Sequence, residues 1–164
     1  MLSALVIMIK PDVLDLIRTL LASHAIEYRE AHHEPTHTSE ESARARGEDI
    51  SIGGKAILMK VGEEYKLFVL SAARKIDSQK IKVHFGTRRL RFATPEELRE
   101  LTGLVPGSVP PFGHPVLPFD LYLDISVTTN EKIAFNAGSL TTSIIMNVCD
   151  YLGLVSSEVF DFSL

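Results

Sequence analysis

Gly53-Gly54-Lys55-Ala-Ile-Leu-Met-Lys60-Val61-Gly62-Glu63-Glu64-Tyr65-Lys-Leu-Phe-Val-Leu70 sets the architecture expected of this chain. Two apolar runs flank Gly62-Glu63-Glu64, so they read as two strands joined by a tight hairpin. Within each run the apolar residues are nearly continuous rather than alternating, as in strands covered on both faces. The hairpin is therefore expected to be central and largely buried.

Helix signals lie on its C-terminal side. Asp77 or Ser78 caps a helix carrying Ile81 and Phe85 and ended by Gly86. Leu90 to Ala93 reads as a brief strand. Thr94-Pro95-Glu96-Glu97 then opens a helix with an N-cap threonine, proline at the first helical position and glutamate at the third. That helix ends at Gly103. Further on, Leu121–Val127 and Lys132–Phe135 read as strands around a Thr128-Thr-Asn130 turn, Thr141–Val148 as another, and Cys149–Leu154 as a final helical turn or two.

On the N-terminal side, Val13, Leu14, Ile17, Leu20 and Leu21 recur at the helical period over Asp12–His24, with Pro11 where a first turn tolerates it. Leu5–Ile9 extends this helix or forms a short strand. Ile26–Ala31 is expected to be a strand, and His32–His37 a loop. Thr38-Ser-Glu-Glu41 is a capping box for a short helix through Arg46, stopped by Gly47. Hairpins mixed with strand–helix alternation predict an α/β protein: a single domain over 1–164 with a mixed, strongly curved sheet, and 1–24 as an N-terminal helical element.

Composition narrows the function classes. The 164 residues suit one sizeable core. Met1–Ile9 is apolar, but Lys10-Pro11 cuts it far short of a membrane span, and it lacks the basic start and cleavage site of a signal peptide. One cysteine, Cys149, allows no internal disulfide. A cytoplasmic setting is expected. The net charge of −4 disfavours a bulk attraction to nucleic acid. Even so, Arg74, Lys75, Lys80, Lys82, Arg88, Arg89 and Arg91 lie in one segment with a single acid, Asp77. That segment is either a local face for phosphates or an ordinary solvated surface.

The chemistry centres on Gly103-Leu-Val-Pro106-Gly107-Ser108-Val-Pro110-Pro111-Phe112-Gly113, a loop fixed by three prolines and freed by three glycines. Backbone N–H groups in such a loop can cradle a carboxylate, a phosphate or a developing oxyanion. His32, His33 and His37 match no zinc-ligand spacing, and no metal or other cofactor is expected. Cys149 falls where an apolar helix face should lie and is expected in the core. Ser139 lacks a nucleophile-elbow context.

Four motifs in order carry a resemblance: Gly53-Gly54-Lys55-Ala-Ile-Leu, Arg91-Phe-Ala-Thr-Pro-Glu-Glu-Leu98, the Gly103–Gly113 loop, and Phe135-Asn136-Ala-Gly138-Ser139. Together they resemble the YbaK family, which includes the editing domain inserted in bacterial prolyl-tRNA synthetases and its free-standing relatives. The resemblance runs from about Tyr28 to Leu154. It implies a curved, barrel-like mixed sheet flanked by helices, and hydrolysis of a wrongly attached small amino acid from tRNA. tRNA is then the partner, with an aminoacyl-tRNA synthetase as a second candidate.

Lys55 and the Gly103–Gly113 loop match the family's pocket. The expected catalytic groups are Lys55, binding a phosphate or orienting the ester, and the backbone amides of Gly107 and Ser108. Candidate substrate contacts are Tyr28, Thr38, Gly103, Pro106, Asn136, Gly138 and Ser139. Asn136 and Ser139 either bond the substrate or cap the loop, and Asp124 is a weaker candidate or a turn acceptor. Lys80, Lys82, Arg88 and Arg89 are the expected tRNA contacts. With no nucleophile–base pair visible, a water helped by the tRNA ribose hydroxyl is the expected attacking group. The Asn136–Ser139 segment departs from the family pattern and leaves the amino acid open. A non-catalytic tRNA- or synthetase-binding module on the same scaffold is the alternative.

Overall fold

The computed structural model describes residues 12–164. The Leu5–Ile9 expectation and Pro11 fall outside them.

The central hairpin forms as β2 (Gly54–Val61) and β3 (Glu64–Ser71), antiparallel from Gly54↔Ser71 to Val61↔Glu64. Alternate residues of β3 enter two different cores. Leu67 and Val69 join the larger one, Phe68 and Leu70 the smaller, and all four are fully buried. A strand with two covered faces needs apolar residues at every position, which is why this stretch lacks polar alternation.

Around this pair lies a five-stranded sheet of order β4-β2-β3-β5-β8, with β4 at Leu90–Phe92, β5 at Leu121–Asp124 and β8 at Ser157–Phe160. β4 pairs antiparallel with β2, whereas β3–β5 and β5–β8 are parallel. A second, antiparallel sheet has the order β1-β7-β6: β1 (Tyr28–His32), β7 (Thr142–Asn147) and β6 (Lys132–Asn136). The architecture is thus mixed α/β with two open sheets, not one sheet closed on itself. The sheets meet at Gly53 and Gly54. Gly53 bridges Ala134, and a Cβ on Gly54 would come within 2.7 Å of the Ile133 side chain.

Helix α1 (Val13–Ser23) is capped by Asp12 and buries Ile17 and Leu21 in the larger core. α3 (Ser78–Phe85), capped by the Asp77 carboxylate, covers the smaller core with Ile81. α2 (Ser39–Arg46) and α4 (Pro95–Thr102) carry the expected threonine caps, and in α4 the Thr94–Glu97 box is reciprocal. Gly47, Gly86 and Gly103 end α2, α3 and α4 in the left-handed conformation that frees a glycine to stop a helix.

Two expectations are corrected. The strand read over Leu121–Val127 stops at Asp124, whose side chain caps a short α5 (Ile125–Thr128). In α6 (Val148–Leu154), Val148 and Tyr151 take the buried positions and leave Cys149 exposed. Among the described residues no helix is long and apolar enough to cross a membrane.

Candidate active site

A cavity of about 310 Å³ opens between α2, the start of β2, the β4–α4 corner and the proline loop. Its lining includes Thr38, Arg46, Lys55, Pro106, Gly107 and Asn136. These come from segments far apart in sequence and meet because β2 and β6 converge at Gly53.

The loop backbone is tightly constrained. Phe112 is buried with its ring edge-on to Phe135 and Tyr151, and the Tyr151 hydroxyl donates to the Pro111 carbonyl at 2.5 Å. Complete burial raises the pKa of that phenol and keeps it a donor. Gly113 passes so close to the Phe119 carbonyl that an added Cβ would lie 2.4 Å from it. Gly107 sits at φ +87°, and among the described residues its N–H has no hydrogen-bond acceptor. The neighbouring Ser108 differs. Its amide and hydroxyl both bond the Val105 carbonyl, so they close the loop's own turn.

Arg46 ends α2 inside the protein, only 9% exposed. Its Nε donates to Ser143 Oγ at 2.9 Å, its Nη2 to Asn136 Oδ1 at 3.0 Å and its Nη1 to the Ala134 carbonyl at 3.5 Å. Asn136 Nδ2 in turn donates to the Gly107 carbonyl at 2.7 Å. A polar chain therefore runs from α2 through β6 to the loop, joined at Ser143 by His33 Nε2 at 2.8 Å. Burial lowers the Arg46 pKa to about 10, which leaves it protonated at neutral pH. The sequence offers no signal for Arg46, which ends a polar helix and reads as solvated.

Lys55 lies at the mouth, half-buried, and its Nζ donates to the Arg74 carbonyl at 3.1 Å. Burial holds its pKa below the ordinary lysine value, against an opposing pull from Glu40, while Lys75 adds to the lowering. Phe92, at the β4 edge, is 55% exposed yet lines the same cavity.

Other expected contacts lie outside the lining. Tyr28 pairs with Met146 and packs on the larger core. Gly103 is the α4 cap, and Gly138 presses against Val13 of α1. The Ser139 hydroxyl bonds Thr141. Asp124 is a buried acceptor for the Phe162 amide, the Ser126 amide and the Ser163 hydroxyl.

Of the four expected tRNA contacts, Lys80 is paired with Asp161 at 3.0 Å and Arg89 with Glu63. Lys82 and Arg88 line a shallow depression beside α3. No group of three potential metal ligands occurs among the described residues.

Comparison with known proteins gives a consistent picture. Residues 33–154 match the aminoacyl-tRNA editing domain as a family. The chain is 34% identical over 149 residues to the multifunctional Ser/Thr-tRNA deacylase ProXp-y of Escherichia coli (strain K12), covering 87% of this chain and 88% of that protein. It is 32% identical over 100 residues to the proline–tRNA ligase of Shouchella clausii, covering 61% of this chain and 17% of the ligase. A crystal structure described as a candidate trans-editing enzyme for prolyl tRNA synthetase superimposes with a TM-score of 0.79 at 26% identity, over 95% of this chain and 99% of that one.

Proposed function

The chain belongs to the aminoacyl-tRNA editing domain family, and we propose accordingly that it hydrolyses, in trans, the ester of a small amino acid misattached to tRNA. The observation that carries this reading is the cavity itself. It gathers Lys55, Gly107, Thr38 and Asn136 into a space at the lower end of small-molecule sites, right for one amino acid and part of a ribose. Thr36, Thr38, Ser39 and Ser42 line its wall. The Thr36 and Ser42 hydroxyls bond each other and Thr38 Oγ1 accepts from the Glu41 amide, and this polar wall favours a serine or threonine side chain over an apolar one of similar size.

Lys55 stands at the mouth as a point charge for the terminal nucleotide's phosphate. The Gly107 N–H, lacking a protein partner among the described residues, donates to the carbonyl oxygen as charge develops on it. Asn136 holds the Gly107 carbonyl and so fixes that loop. A water, oriented by the ribose hydroxyl of the substrate, attacks. Phe92 offers an exposed ring on which the terminal base can stack. The prolyl-tRNA synthetase relatives make tRNA-Pro a candidate acceptor and a synthetase a candidate partner.

A panel of tRNAs charged with serine, threonine, alanine and proline tests this directly. Seryl and threonyl esters are expected to be cleaved faster than alanyl ones, and prolyl esters spared. Binding without turnover across the panel would favour the non-catalytic module. Replacing Lys80, Lys82, Arg88 and Arg89 together by alanine is expected to weaken tRNA binding. Its salt slope should flatten by about 0.7–0.9 for each phosphate that is no longer neutralised. An unchanged slope removes these residues from the interface.

A further inference from the structure

Arg46 presents a charge balance that the protein does not complete. Among the described residues no carboxylate lies within ion-pairing distance of its guanidinium. Residues 1–11 contain neither Asp nor Glu. Of the five N–H donors of a guanidinium, three reach Ser143, Asn136 and Ala134. Burying a cation without a counter-charge is costly, and hydrogen bonds alone could be met by a neutral residue of similar volume. The position lines the cavity together with Gly53, where Ala72 and the Ile50 carbonyl pack too closely to admit a Cβ and Nη1 lies 3.6 Å from where that Cβ would be.

Resting on the proposed deacylase reading, we infer that Arg46 is a catalytic residue whose remaining N–H groups receive the oxyanion formed on the ester carbonyl. Depth assigns the two cavity cations their partners. A phosphodiester is strongly hydrated and continues into the RNA chain outside, so it belongs with half-exposed Lys55 rather than with the buried Arg46. The ammonium of the amino acid is repelled by both cations. What reaches the buried end is the acyl carbonyl, neutral on arrival and negative only during reaction. A buried charge that meets its counter-charge only in the transition state raises the rate without tightening ground-state binding.

In that step the water oxygen bonds to the carbonyl carbon, the C=O π pair moves onto oxygen opposite Arg46, and a water proton passes to the ribose oxygen. Collapse returns the pair, breaks the bond to the ribose oxygen and releases a tRNA hydroxyl. The amino acid leaves as its carboxylate, with its acid proton going to solvent.

The test uses the full chain and seryl- or threonyl-tRNA. Arg46→Met is expected to lower kcat by about 10²–10³ with little change in KM, and Arg46→Lys to recover part of the loss. Methylguanidinium should restore Arg46→Ala, whereas uncharged methylurea should not, a distinction that a purely structural role would not produce. For the wild-type protein, an anionic phosphonate analogue of seryl-adenosine should bind about a hundredfold or more tighter than the neutral amide-linked analogue. Arg46→Met that folds and keeps wild-type kcat overturns the inference. So does equal wild-type affinity for the two analogues, whether or not the variants fold. A wild-type protein that cleaves no ester in the panel retires the deacylase reading together with this inference. An active wild type with an undiminished Arg46→Met retires Arg46 alone.

Discussion

Gly107→Ala is expected to lower kcat for deacylation by about 10²–10³, the range for losing one oxyanion donor. At φ +87° an alanine is strained by about 1–3 kcal/mol, and its Cβ would sit 3.4 Å from the Leu140 side chain. The loop relieves that strain by turning the peptide whose N–H faces no protein acceptor, and the donor moves with it. Strain alone must be separated from position, and Gly86→Ala does this. Gly86 has φ +62° with nothing within 4 Å of an added Cβ, and it ends a helix away from the cavity. Both variants should lose similar stability, and only Gly107→Ala should lose turnover. Equal kcat in the two would remove Gly107 from the reaction.

Asp124→Ala is expected to have the largest effect on stability. The carboxylate is fully buried and accepts from Ser126 N at 3.0 Å, Phe162 N at 2.7 Å and Ser163 Oγ at 2.9 Å. It ties β5 and the start of α5 to the chain beyond β8. Truncation orphans two buried donors, Phe162 N and Ser163 Oγ, and the half-buried Ser126 N, and should cost about 3 kcal/mol or more. For a chain of this size that lowers Tm by roughly 6–12 °C.

The same site sets an acid limit. Burial alone would raise the Asp124 pKa, but the bonds from Ser126, Phe162 and Ser163 outweigh it and hold the pKa below the ordinary aspartate value. A carboxyl whose folded pKa is depressed contributes stability that is fully present above the unfolded value, about 3.9. The contribution is lost as pH falls through the folded one. Thermal melts below about pH 4 should therefore show the wild type losing its advantage over Asp124→Ala. A constant gap down to pH 2 would place the stabilisation elsewhere.

Helix ends are legible in the sequence because their causes are local. Thr38 and Thr94 cap helices through their own side chains, and Gly47, Gly86 and Gly103 stop them where only a positive φ continues the chain. Neither β8 nor the parallel pairings of β5 are legible, since no turn chemistry records which distant strands lie side by side. Cys149 defeats a sequence reading because α6 is too short for its apolar period to declare itself.

Interactions within a few residues thus suffice to specify the buried hairpin, the helix ends and a stiffened loop able to expose main-chain amides. Long-range packing is what puts Lys55, Gly107 and Asn136 in one cavity and drives Arg46 inside it. Two sheets converging at Gly53 and Gly54 bring those residues together. Burial, which turns a helix-end arginine into an uncompensated charge, is a property of what packs around a residue and not of its neighbours in the chain.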